Sequence, residues 1–211
     1  MVAYRESVSK TGTGNFTFDR EIGNESHFAS LSLQVSPKSS GAGNSIEFDV
    51  SSSAVPNEVR KAIEEGLSDA LMTGVLGNFA IIDVAVKVIG GETHPTDSTE
   101  MAFRSASVMA LRAAVTNSGP VLLEPIMKLE IETPEEHLGD VLGDLNSRRG
   151  RVRDIKAGND LQVVQADVPL AEVFGYSTSL RSLTKGRASY TMEPQAFEPV
   201  PASMEDSILN R

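Results

Sequence analysis

The chain has 211 residues, 40% of them apolar and 23% charged, which is enough for one large or two ordinary domains with genuine cores. Its 0 cysteines exclude disulfides and thiolate metal sites, no apolar run approaches the roughly 18 residues of a membrane span, and Arg5 and Glu6 stand too early for a signal peptide. The net charge of -10 speaks against a general nucleic-acid binder with a basic face, although screening over roughly 8 Å leaves room for a local arginine cluster to meet a phosphate.

From the N-terminus, a hairpin is expected to turn near Gly12-Thr13-Gly14-Asn15. Ala29, Leu31, Leu33 and Val35 alternate with Ser30, Ser32 and Gln34, and Ile46, Phe48 and Val50 repeat the pattern after a glycine-rich loop, as strands with one wet face do. A helix follows from about Pro56, with Val59, Ile63, Leu67 and Ala70 on one side, and Gly74 is its expected end. Ile81 to Ile89 reads as a mostly buried strand. Asp97-Ser98-Thr99-Glu100 then has the spacing of a capping box, ahead of Ala102, Ala106, Met109 and Ala113 on a helical face.

Asn117-Ser118-Gly119-Pro120 stops that helix and starts an extended segment, so the domain boundary is placed there. Beyond it Met127, Leu129 and Ile131 alternate with charged residues, and Thr133-Pro134-Glu135-Glu136 reads as a capped helix start with Thr133 as cap. Leu138, Val141, Leu142 and Leu145 form one apolar stripe, and Gly150 supplies a stop. Gly158-Asn159 separates two strands, Leu170, Val173, Phe174 and Leu180 mark a second helix, and Ala188, Tyr190 and Met192 alternate in a last strand. The order is βαββαβ, the ferredoxin-like pattern. The expectation is an α+β chain of two α/β sandwich domains: residues 1–118, residues 119–194, and a partly mobile tail over 195–211.

For chemistry, no Gly-x-x-x-x-Gly-Lys-[Ser/Thr] occurs, so the backbone cradle for nucleotide phosphates is missing. His94-Pro95-Thr96-Asp97 sets an imidazole beside a carboxylate, as a metal centre or acid-base pair would, but a helix cap explains Asp97 and Glu100 without a substrate and leaves His94 exposed on a loop. Arg148, Arg149, Arg151, Arg153 and Lys156 cluster after a helix end, whose negative dipole accounts for the first two, while Arg151 and Arg153 lie beyond its reach and favour a phosphate or protein partner. Lys185 and Arg187 extend the patch. The ferredoxin-like strands offer aliphatics where an RNA-recognition module stacks bases on aromatics. His137 reads as an exposed helix side chain.

Leu123 to Glu136 (Leu-Glu-Pro-Ile-Met-Lys-Leu-Glu-Ile-Glu-Thr-Pro-Glu-Glu), Gly139 to Gly150, Val168 to Ser177 and Leu180 to Ala188 together resemble the last domain of elongation factor G, a family of GTPases that work on the ribosome. Val2-Ala3-Tyr4-Arg5-Glu6 resembles the start of that family's penultimate, ribosomal-protein-like βαβ domain. The resemblance implies a non-enzymatic C-terminal piece, with GTP and magnesium held by N-terminal domains this chain lacks. It further implies contact of Arg148, Arg149, Arg151, Arg153, Lys185 and Arg187 with ribosomal RNA and stalk-base proteins. Asn24, Glu25, His27, Thr93, His94 and Pro95 become a tip that meets tRNA and mRNA or the ribosome recycling factor. A cytoplasmic monomer without membrane contact is expected, or a mitochondrial one in a eukaryote. The usual Gly-Gly-Arg-Gly-Gln-like tip is replaced by Ile22-Gly23-Asn24-Glu25-Ser26-His27; Asp19, Arg20, Gly23 and His27, together with Thr93-His94-Pro95 and the ending Leu209-Asn210-Arg211, look more like the second, mitochondrial-type paralogue acting in ribosome recycling. A freestanding RNA- or protein-binding module is the alternative.

Overall fold

The alternation around Leu31 and Leu33 becomes a 13-residue strand whose apolar side is wholly buried, in a computed structural model that describes residues 2–158 and 160–210. Asn159, expected in a strand separator, and Arg211, expected in the family-like ending, lie outside the described residues. The chain is α+β and forms two units, one of Tyr4–Leu123 with the segment from Pro199, the other of Glu124–Glu198.

The first unit begins with β1 (Arg5–Val8), β2 (Gly12–Ile22) and β3 (Glu25–Pro37), followed by β4 (Ser45–Phe48), α1 (Asn57–Leu71), β5 (Val84–Glu92) and α2 (Glu100–Asn117). Its sheet runs β2-β3-β5-β4, antiparallel except that β4 lies parallel to β5. The helices bury Ile63, Leu67, Phe103 and Leu111 against Leu31, Leu33, Val86 and Val88, while the other face of β3 presents Ser30, Ser32 and Gln34. β1 pairs with the start of β6 (Pro120–Thr133), from Arg5 opposite Leu123 to Val8 opposite Pro120.

Three local readings need correction. Gly12 and Gly14 lie inside β2 and make no turn: a Cβ on Gly14 would come 2.7 Å from the Ala110 carbonyl oxygen and closer still to the Ala114 nitrogen, so they are glycine to let α2 approach. The strand expected from Ile81 begins at Val84, because Asp83 has φ +57° and its carboxylate accepts hydrogen bonds from Gly41 (2.9 Å) and Gly43 (2.7 Å). Thr99, not Asp97, caps α2, its Oγ1 accepting from Ala102 N at 3.3 Å.

In the second unit β6 leads through a 3-10 turn (Glu135–His137) into α3 (Leu138–Ser147), then β7 (Arg151–Ala157), β8 (Gln162–Pro169), α4 (Leu170–Val173), α5 (Tyr176–Leu183) and β9 (Ser189–Pro199). The strand order β9-β6-β8-β7 is ferredoxin-like, and Leu129, Ile131, Val141, Leu145, Val164 and Tyr176 fill the core. The expected capping box at Thr133 does not form: Thr133 is still paired with Gln162 in the sheet, Pro134 takes the cap position, and Glu136 pairs with Arg187. The helix expected from Leu170 to Leu180 breaks after Val173, where Gly175 has φ +75°. His137, expected to be exposed, is buried.

Helices α3 and α5 end alike. Arg149 (φ +57°) and Lys185 (φ +52°) hold the left-handed position, and the following Gly150 and Gly186 donate to Leu145 and Arg181 carbonyls at 2.8 Å. Where the sequence suggested a tail from residue 195, β9 runs on to Pro199 and α6 (Ala202–Leu209) follows, with Val200 and Ile208 buried against Leu122.

Candidate functional site

At one end of the first unit, Ile22 pairs with Glu25 across a two-residue Gly23-Asn24 turn, with φ +66° at Gly23. A glycine in the first turn position matches the twist of the strands it joins. Asn24 and Glu25 are exposed at this tip. The loop carrying Thr93, His94 and Pro95 is strapped to the same hairpin: Phe28 N donates to the Asp97 carbonyl at 2.8 Å, and Ser98 Oγ donates to the Phe28 carbonyl at 2.9 Å while accepting from His94 N at 2.7 Å. The fold therefore gathers all six tip residues inferred from sequence at one end, although they lie about seventy positions apart.

Their roles differ. His27 is 8% exposed and its Nδ1 lies 3.0 Å from Thr99 Oγ1, so it braces the hairpin on the α2 cap rather than facing outward. His94 is exposed, with Nδ1 3.0 Å from Asp97 Oδ2 and 3.3 Å from Thr96 Oγ1. No group of three or more potential metal ligands occurs among the described residues. The exposed rim of the tip holds Asp19, Glu21, Glu25 and Glu92 against Arg20 and His94, so its potential is negative.

The arginine cluster of the second unit is spent internally. Arg148 donates to Asp144 (2.8 Å), the Glu172 carbonyl (2.6 Å) and Ser179 Oγ (2.8 Å), and lies over the Tyr176 ring. Arg149 clamps Glu124, which is 3% exposed, and approaches Glu172 at 3.8 Å. Arg151 meets Glu198 at 2.6 Å. A β-bulge at Arg153 lets its Nε reach Asp167 at 2.6 Å, itself 3% exposed. Four arginines thus face the five carboxylates Asp144, Glu172, Glu124, Glu198 and Asp167. Burial pushes the Glu124 carboxyl above the usual range despite the opposing pull of Arg149. The helix dipole, offered above for Arg148 and Arg149, is the lesser part of the explanation. Arg187 pairs with Glu136 at 2.5 Å, whereas exposed Lys185, with Arg181 one turn before it, forms no ion pair with a described residue.

Sequence reading passes over Glu6, fully buried and accepting from the amides of Val75 (2.7 Å), Leu76 (3.0 Å), Gly77 (3.0 Å) and Phe79 (3.2 Å). For Glu6 the one available signal is its two-residue spacing from Val8 on the buried side of β1, and for Glu124 it is the preceding Leu122-Leu123. These contacts also bear on nucleotide binding. The amide cradles at Val75–Phe79 and at Gly41 and Gly43 are the sort that hold phosphates, and both are filled by the chain's own carboxylates, Glu6 and Asp83. Neither cradle is open to a nucleotide phosphate.

A four-stranded sheet with two helices, followed in the chain by a ferredoxin-like unit, defines a two-domain α+β module. Residues 1–119 match the family described as elongation factor G, domain IV, and residues 121–208 match elongation factor G C-terminus. Elongation factor G of Chlamydia caviae and that of Chlamydia trachomatis serovar D are each 40% identical over 211 residues, covering 100% of this chain and 30% of the relative. A crystal structure from Thermus thermophilus superposes with a TM-score of 0.90 at 34% identity, over 100% of this chain and 31% of that one. The chain belongs to the elongation factor G family. It spans about a third of the length of these relatives, and its matched domains leave no residues for a GTP-binding domain within it.

Proposed function

We propose that this chain is the ribosome-contacting part of a translation factor whose GTP and magnesium are bound by domains outside these 211 residues. The observation that carries the reading is the unbroken match to two consecutive elongation factor G domains. In this reading the hairpin at Asn24 and Glu25 and the loop at Thr93, His94 and Pro95 form the working tip, and the second unit, through Lys185 and Arg181, supplies the ribosomal RNA contact. The factor acts as a cytoplasmic monomer.

Of the two tasks open to such a factor, recycling is favoured over translocation. A tip rimmed by Asp19, Glu21, Glu25 and Glu92 repels phosphate backbones and suits a basic protein surface, such as the ribosome recycling factor or a ribosomal protein. The tRNA and mRNA backbones are poorer partners for it. Exchange of Ile22 to Ser26 for a basic, glycine-rich segment in a full-length factor tests the reading in paired translocation and subunit-splitting assays. Gained translocation with reduced splitting supports it; unchanged behaviour in both overturns it.

A further inference from the structure

The first unit holds a small second core apart from its main one. Tyr4 from the N-terminal segment, Leu76 and Phe79 from the loop after α1, Leu122 from β6, and Val200, Met204, Ile208 and Leu209 around α6 share one apolar cluster. The Tyr4 and Phe79 rings lie 5.6 Å apart, and Val200 N donates to the Leu122 carbonyl at 2.9 Å. The same loop supplies the four amides that hold the Glu6 carboxylate, and Glu6 N donates to the Ala80 carbonyl while Ile82 N donates to that of Glu6, both at 2.9 Å. Packing is tight where the helix meets the loop: a Cβ on Gly77 would come 2.9 Å from Leu209 Cδ2.

The helix that closes this cluster is weakly built. It has 8 residues, no side-chain cap, no basic residue in its last turn, and Ile208 as its buried residue. Isolated helices of this length do not persist in water, so α6 exists through docking alone. Local opening follows such differences, since segments with little buried surface open well below the global unfolding free energy.

We propose that α6 is a detachable strap: its docking holds the loop Gly74–Phe79 and, through Glu6, strand β1, and its release loosens that end of the unit while the main core stays closed. The inference stands on these contacts alone and holds whatever the tip touches. Opening of α6 uncovers Tyr4, Leu76, Phe79 and Leu122 together and leaves the loop that binds Glu6 without its lid.

Amide hydrogen exchange on the intact chain tests it. In Ile208→Ala, exchange at Val75, Leu76, Gly77 and Phe79 should quicken roughly thirtyfold or more, the usual consequence of truncating a buried isoleucine in a cooperative unit, with β3 and the part of β6 beyond Leu123 unchanged. Unaltered exchange at those four amides overturns the strap, and so does equal acceleration at Leu31 and Leu33, which would make α6 part of the global core. If the variant does not fold, the wild-type chain in sub-denaturing urea decides. Exchange of α6 and residues 75–79 as one group ahead of β3 supports the strap, and exchange only on global unfolding overturns it.

Discussion

Glu6 shows how much one carboxylate can organise. Its oxygens accept four backbone hydrogen bonds from a loop about seventy residues away, so a residue that looks solvent-directed in the sequence is fully buried. Glu6→Gln keeps one acceptor oxygen and turns the other into a donor aimed at amide hydrogens. It should cost about 2–4 kcal/mol of stability, the loss of two charge-assisted bonds plus the repulsion created, read as a lower urea midpoint with an unchanged slope. Glu124 behaves differently. Burial raises its pKa in the folded chain, so the folded state binds its proton more readily than the unfolded one. The related stabilisation is complete below the unfolded-state carboxyl range and is lost as pH rises through the higher folded value. Glu124→Gln should therefore flatten the slope of urea midpoint against pH just above the ordinary glutamate range, and an unchanged slope would assign that pH dependence to another carboxylate.

At the scale of elements, glycine in a helix carries opposite meanings in the two units. A Cβ on Gly66 of α1 would come 2.8 Å from the Arg104 carbonyl oxygen of α2 and closer to Ser107 Oγ, whereas Gly139 and Gly143 of α3 have nothing within 4 Å. Gly66→Ala should destabilise by about 1–3 kcal/mol through overpacking, while Gly139→Ala and Gly143→Ala should each stabilise by about 0.5–1 kcal/mol by restricting the unfolded chain. Thermal unfolding of the three variants compares the signs directly.

This contrast also marks what is legible beforehand. Alternation in β3 and β6 and the apolar stripe of α3 announce their elements because side-chain period is a local property. Gly14 reads as a turn because the sequence does not show that α2 lies against it, and Thr133 as a cap because its pairing with Gln162 is non-local. Family resemblance alone groups the proposed tip residues, and the inward turn of His27 onto Thr99 depends on a contact 72 positions away. The arginines are visible and their carboxylates are not, since Glu124, Asp167 and Glu198 come together through the sheet order β9-β6-β8-β7 and Glu172 through α4.

For the whole molecule, charge must be counted after pairing. A cluster of four arginines facing five carboxylates has little net field, so replacing its members removes structure before it removes attraction for phosphate. Arg149→Ala leaves Glu124 buried without its partner and should cost about 3–5 kcal/mol by the usual penalty for breaking a buried pair, lowering the melting temperature of the chain. Lys185 and Arg181 are exposed and carry no such duty. Lys185→Glu with Arg181→Glu should leave the melting temperature within a degree or two, as surface changes do, and yet weaken ribosome co-sedimentation of a full-length factor carrying them. The remaining binding should also depend less steeply on salt, because fewer counterions are released from RNA when fewer cations contact it. Equal binding and an equal salt slope would overturn the proposed RNA contact at the end of α5. A loss confined to variants of Arg151 or Arg153, at unchanged melting temperature, would show that their bonds to Glu198 and Asp167 yield to a phosphate.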